Sequence, residues 1–145
     1  MTDRVRAEMV GLADMKRAFD RLDRNARRET LSTAVLAALN LVQNEAARLA
    51  PKRTPTLAES IHSKIVKEEE RYVEGAVGTD VEYGPYQEFG AVIPAETAKA
   101  WGNPIGRVVV IPAHPYLRPA WDKKLAAMKR ELVTVLKALL QEGEA

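Results

Sequence analysis

Residues 111–122 read Ile-Pro-Ala-His-Pro-Tyr-Leu-Arg-Pro-Ala-Trp-Asp, and they run directly into a stretch whose apolar residues step by three and four: Trp121, Leu125, Met128, Leu132, Val135 and Leu139. That spacing places all six on one side of a helix, predicted from about Leu117 or Pro119 to Gln141. Pro112, Pro115 and Pro119 stiffen its entry. A second segment, Tyr83–Gly90 (YGPYQEFG), has the same character. Both are dense in aromatics and prolines, and between them they carry a charge of each sign at Glu88 in the first and Arg118 in the second, with Asp122 closing the latter. Such stiff, packable material positions backbone against another surface, within the chain or on a partner.

Upstream of the helix entry, Arg107–Ile111 contains Val-Val-Val-Ile, the strongest local strand signal in the chain. The long connection Ala91–Gly106 carries Pro94, Gly102, Pro104 and Gly106, and Pro94 could begin a short helix that ends at Gly102. Connections of this length in compact domains are often functional or mobile. Tyr83–Phe89 reads as a short helix or turn stopped at Gly90. Leu57–Glu68, with Ile61, Ser63 and Ile65 on one alternating face, and Arg71–Val77, with Tyr72 or Val73 and Val77, read as a hairpin. Its turn is the acidic triplet Glu68-Glu69-Glu70, most simply a solvated turn.

The other long helix is predicted from about Glu29 to Ala50, where Leu31, Val35, Leu39, Val42, Ala46 and Leu49 form a single stripe. Pro51 ends it, and Pro51–Thr56 is a stiff connector. The polar run Asp23–Arg28 reads as a break after a first helix, Asp14–Leu22, with a continuous helix as the other reading. Val5, Ala7 and Met9 alternate with charged residues as a short opening strand would. The expected architecture is therefore α+β in one domain, 1–145: a short N-terminal strand and helix, then a small antiparallel sheet, which the three later strands can form, packed against two long helices. The chain has no repeat and no low-complexity segment.

At 145 residues the chain can bury a real core. It has no cysteine, which excludes disulfides, thiolate metal sites and thiol catalysis. The opening MTDRVRAEMVGL has no apolar signal-like region, and no apolar run approaches a membrane span. The net charge of +2 is unevenly spread: 11 basic and 7 acidic residues over 1–53, 6 and 10 over 54–122, and 5 and 3 over 123–145. An acidic middle between basic ends suits complementary contacts within a monomer or between neighbours in a ring.

Catalytic patterns are missing. His62 and His114 lack metal-ligand spacing, and no phosphate loop, dinucleotide fingerprint or nucleophile elbow occurs. Glu82 and Glu88 are carboxylates of the kind that surfaces carry. Catalytic, cofactor-binding and metal residues are therefore expected to be absent. Arg24, Arg27, Arg28, Lys52 and Arg53 could attract phosphate weakly, but Asp23 and Glu29 interrupt them and no nucleic-acid motif accompanies them.

The two opening segments carry a resemblance. A Val10-Gly11-Leu12 turn stands before the first helix, the long helix ends in Ala50-Pro51, and Thr54, Leu57 and Ser60 approximate a Thr-Gly-x-Leu-x-x-Ser connector. Tyr83, Gly84, Glu88, Phe89 and Gly90 follow, and Pro112, Ala113, Pro115, Tyr116, Leu117, Arg118, Pro119 and Ala120 close the pattern. In this order they resemble the tailed-phage family named after the tenth gene product of the lambdoid coliphage HK ninety-seven. The chain departs from that pattern at Pro55, where glycine is usual, and at Tyr116, where phenylalanine is.

The resemblance implies a non-enzymatic virion structural protein made in the host bacterial cytoplasm and placed at the head–tail junction, as a neck, connector or tail-completion component. It implies a homo-oligomeric ring that meets other phage proteins such as the tail terminator and the head-side connector, with non-specific proximity to duplex DNA in the lumen and no membrane. On that reading Tyr83, Tyr86, Glu88, Phe89, Gly90, Pro112, Pro115, Tyr116, Leu117, Arg118, Pro119 and Trp121 form the structural or interface motif. Pro94, Trp101 and Pro104 mark a partner-docking loop. Arg118 at a helix start is a cation at the wrong end of the dipole, so an acidic partner is expected, Glu88 first and Asp122 second. Breaking a partly buried pair of this kind would cost about 3–5 kcal/mol. Phe89, Tyr116 and Trp121 are expected to pack around the pair. The competing class is a small nucleic-acid or effector-binding adaptor, which predicts salt-dependent DNA affinity through Arg24, Arg27 and Arg28.

Overall fold

The computed structural model describes residues 12–52, 55–100, 102 and 107–142. The opening strand expected around Val5, Ala7 and Met9 lies outside them. Helix α1 spans Leu12–Asp20 and α2 spans Arg24–Leu49. The break between them is short because Asp23 caps α2: its backbone is extended and its carboxylate accepts from the Ala26 amide at 2.8 Å. The helix therefore starts five residues before the expected Glu29, and Arg24–Arg28 is helical. Pro51 stops it as expected.

Residues 55–60 differ from expectation. They form a short helix, α3 (Pro55–Ser60), rather than the start of a strand. A proline at the first helical position has its φ preset and lacks only an amide that the helix would leave unpaired. Within α3, Leu57 is fully buried and the Ser60 hydroxyl donates to the Leu57 carbonyl at 2.7 Å. The hairpin follows as β1 (His62–Glu68) and β2 (Val73–Gly78), antiparallel with His62 opposite Gly78 and Glu68 opposite Val73. A bulge between Ile65 and Lys67 leaves Val66 exposed.

The rest of the chain is α4 (Gly84–Phe89), β3 (Ala91–Ile93), α5 (Ala95–Ala100), β4 (Val109–Ile111) and α6 (Leu117–Glu142). The connection 91–106 thus contains a strand that the sequence reading missed. Three residues are too few to show a period, and β3 becomes visible only through its pairing with β4, Val92 opposite Val110. The expected short helix is present, with Gly102 beyond its end at φ 94°. The later strands make two separate two-stranded sheets, β1-β2 and β3-β4, rather than one sheet.

The core lies between α2, α6 and the hairpin. Ala38, Leu39, Val42, Ala46, Leu57, Ile61, Tyr116, Ala120 and Met128 are buried together, with Val35, Trp121, Leu125 and Leu132 packed against them. Full burial of Val42, Leu57 or Tyr116 is worth about 1.5–3 kcal/mol each. The far end of α6 buries Leu140 rather than the expected Leu139. The hairpin turn is tied down rather than simply solvated. Arg27 donates to Glu70 and to the Asp20 carbonyl, and Arg71 pairs with Asp20 at 2.8 Å.

Candidate functional site: a joint beneath an exposed arm

The two segments singled out in the sequence meet, and Glu88 is their joint. Helix α4 begins with Gly84-Pro85, and Glu88 lies in its last turn with 6% of its surface exposed. Its Oε2 accepts from the amides of Tyr116 at 2.8 Å and Leu117 at 2.9 Å, and its Oε1 from the amide of Arg118 at 2.9 Å. Tyr116 is the residue that precedes α6, and the Leu117 and Arg118 amides are the helix's first two, donors that a helix leaves without intrahelical partners. A carboxylate there also sits at the positive end of the helix dipole. Glu88 thus caps α6 from 28 to 30 residues upstream.

Three further bonds and two close approaches complete the joint. The Tyr116 hydroxyl donates to the Gly84 carbonyl at 3.0 Å, the His114 amide to the Gln87 carbonyl at 2.7 Å, and the Gly90 amide to the Tyr86 carbonyl at 2.8 Å. Tyr116 is 1% exposed, and burial, then the Glu88 charge, pushes its phenol above the usual 10.0. Gly90 turns the chain at φ 72°, where a Cβ would stand 2.9 Å from the Ile111 carbonyl oxygen. Gly84 has no room either, since a Cβ would meet Thr79 Cγ2 at 2.5 Å.

The expected Glu88–Arg118 ion pair is not what forms. Arg118 offers its backbone amide to Glu88, while its guanidinium reaches solvent beside Asp122 at 3.7 Å. Phe89 does not pack around the joint either: it is 80% exposed, because Glu88 and Phe89 are adjacent in one helical turn and point different ways. Tyr116 is buried, Trp121 and Tyr83 are half-buried against the core, and Leu117 packs on it. Pro112 and Pro115 are exposed, Pro119 is half-buried and Tyr86 is partly exposed. The exposed Pro94 precedes α5, and its carbonyl accepts from the Ala98 amide at 3.0 Å. Trp101 and Pro104 lie outside the described residues.

From this joint the β3–β4 pair extends as an arm. Its inner side buries Ile93, and Ala98 of α5 is buried as well. Its other side shows Val92 at 70% exposure and Val110 at 67%, directly opposite each other, with Val108 two residues along on the same face. Beside the arm's root lies an open cavity of about 590 Å3, lined by Gly75–Gly78 of β2 and the Thr79 that follows it, by Leu39 and Val42, and by Trp121, Arg118 and Phe89. Its surface is mostly apolar, and the oxygens of Glu88 are already engaged by three amides.

One buried charged group escaped the sequence reading. Glu45, inside the apolar stripe of α2, is buried and bonds Arg48 and, across the helix pair, Lys123 at 2.8 Å. Those two cations hold its carboxyl down to about 2. A glutamate at a stripe position is the available signal. Arg24 and Arg27 are turned to Glu70, which reduces what they can offer phosphate. Among the described residues no group of His, Cys, Asp and Glu could hold a metal ion, and no helix is long and apolar enough to cross a membrane.

A family model described as "Bacteriophage HK97-gp10, putative tail-component" matches residues 13–90, more than half of the chain and inclusive of α4 with its Glu88-Phe89-Gly90 end. No curated protein and no solved structure matches.

Proposed function

Because the chain belongs to the HK97-gp10 family of phage tail components, we propose that it is a non-enzymatic structural protein of the virion's head–tail junction. It serves there as a neck, connector or tail-completion component and works as a ring around the DNA passage. Repetition of one head-to-tail contact that closes by rotation would build such a ring. The observation that carries this reading is the pairing of a rigid joint with an exposed apolar arm. Glu88, Gly90 and Tyr116 fix the arm's root, and Phe89, Val92, Val108 and Val110 present apolar surface away from the core. Apolar side chains clustered outside a core mark interaction surfaces. The partners are further copies of the chain and neighbouring phage proteins such as the tail terminator and the head-side connector.

The test is deletion of residues 94–104 in a phage whose production depends on this chain. The joint is formed by residues outside the deletion, so the purified protein should keep its helical circular dichroism. Heads and tails should accumulate unjoined in electron micrographs of the lysate. Normal numbers of joined virions would remove the proposal.

A further inference from the structure

We infer that the arm of one copy seats in the groove of the next, with β4 adding to the free edge of β2 to make an intermolecular four-stranded sheet in the order β1-β2-β4-β3. The inference rests on the ring reading above and names the contact that would build it. Each two-stranded sheet leaves open edges among the described residues. The groove lies on the open side of β2, since its lining takes five consecutive residues, 75–79, and none from β1. Open edges carry unpaired amides and carbonyls and readily accept another strand.

The side chains fit one register. A Cβ on Gly75 would meet Leu39 and Val35 of α2, so Gly75 and, two residues on, Val77 face the helices. An antiparallel β4 with Val110 opposite Val77 sets Val108 opposite Thr79. Both valines then face the groove floor of Leu39, Val42 and Trp121. The same register places the exposed Arg107 opposite Asp80, which is 89% exposed, both on the solvent face. The strand pair thus matches apolar to apolar on one side and opposite charges on the other. Val92, opposite Val110, extends the buried face by one strand. A small-molecule occupant is disfavoured, because Glu88 is fully engaged and the Thr79 hydroxyl is bonded to Ser60 and to the Val81 amide.

The chain has no cysteine, which makes a disulfide test clean. In the same register Gly78 falls opposite Val109, and a Cβ at Gly78 meets nothing within 4 Å. Mixing the full-length single variants Gly78→Cys and Val109→Cys under mild oxidation should give a linked heterodimer. Val110→Asp should keep native circular dichroism but weaken self-association, measured by analytical ultracentrifugation, by about a hundredfold, because it moves a carboxylate into an apolar groove. A ring that survives Val110→Asp and yields no cross-link overturns the arm-in-groove contact and leaves the ring reading standing. A wild-type chain that stays monomeric at every concentration and does not cross-link overturns the contact and the self-assembled ring together. Closure within one chain, by Gly78→Cys/Val109→Cys or by Ala7→Cys/Gly78→Cys, overturns the contact by showing that the groove is filled from its own chain. Loss of head–tail joining by Val110→Asp with self-association intact overturns it in favour of a different phage protein.

Discussion

Glu88 holds Arg118 by its backbone, not by its charge: Oε1 accepts from the Arg118 amide at 2.9 Å while the guanidinium lies in solvent next to Asp122. The two residues therefore differ sharply in what their removal costs. Glu88→Ala strands three amides at the start of α6 and is expected to destabilise the protein by about 3 kcal/mol or more. Glu88→Gln turns an NH2 group toward at least one of those donors and should cost about 1–3 kcal/mol. Arg118→Gln should stay within about 0.5 kcal/mol of wild type. Urea unfolding of the three variants checks this, and a large loss in Arg118→Gln would contradict it.

Gly90→Ala meets two obstacles, a left-handed backbone and the Ile111 carbonyl 2.9 Å from the new Cβ. At φ 72° and ψ 167° the backbone lies where essentially only glycine goes, which alone costs about 1–3 kcal/mol, so the total should exceed that. Gly102 shares the positive φ but has open space around it, so Gly102→Ala should pay only the backbone cost. Thermal unfolding of the two variants side by side tests whether the close approach at Gly90 matters.

Glu45 makes acid stability a specific matter. Arg48 and then Lys123 lower its folded value to about 2 from an ordinary 4.5. The native state therefore binds fewer protons there than the unfolded chain between those values. The stabilisation is fully present above about 4.5 and is lost as pH falls toward about 2. The urea midpoints of wild type and Glu45→Gln should differ most near neutral pH and converge in that acidic window. A gap that persists at the acid end would mean that the charge is not the cause.

Phe89 is a large apolar residue that the fold does not use. Phe89→Ser should leave the unfolding midpoint within about 0.5 kcal/mol of wild type while reducing head–tail joining in a complementation assay. Destabilisation without a joining defect would make the residue a packing element instead.

The long helices were legible because six side chains at three-and-four spacing repeat one signal over several turns, as along Trp121–Leu139. The glycine stop at Gly90 and the proline stop at Pro51 were legible because each acts on its own backbone. The helix at 55–60 was not, since Leu57–Glu68 reads as one strand with Ile61, Ser63 and Ile65 on an alternating face, and only the tertiary structure separates Pro55–Ser60, with Leu57 buried in the core, from the strand that begins at His62. Strand β3 was hidden for a related reason: three residues have no period, and Ala91–Ile93 is a strand because β4 lies beside it.

The candidate site divides in the same way. The resemblance, with the charges of the two segments, already placed Glu88 and Arg118 in one joint with Phe89, Tyr116 and Trp121 packed around it, and the absence of cysteine excluded thiolate metal sites and thiol catalysis. Charge alone made Arg118 seem the partner of Glu88. Tertiary structure decided that the partner is the helix end itself, because a buried carboxylate is best satisfied by several fixed donors, and three orphan amides at one helix start are closer and more rigid than a long flexible guanidinium. It also decided that Phe89 faces outward: with Glu88 turned to the α6 start, the roughly 100° step to the next residue carries Phe89 to the outer side of α4, where it is 80% exposed.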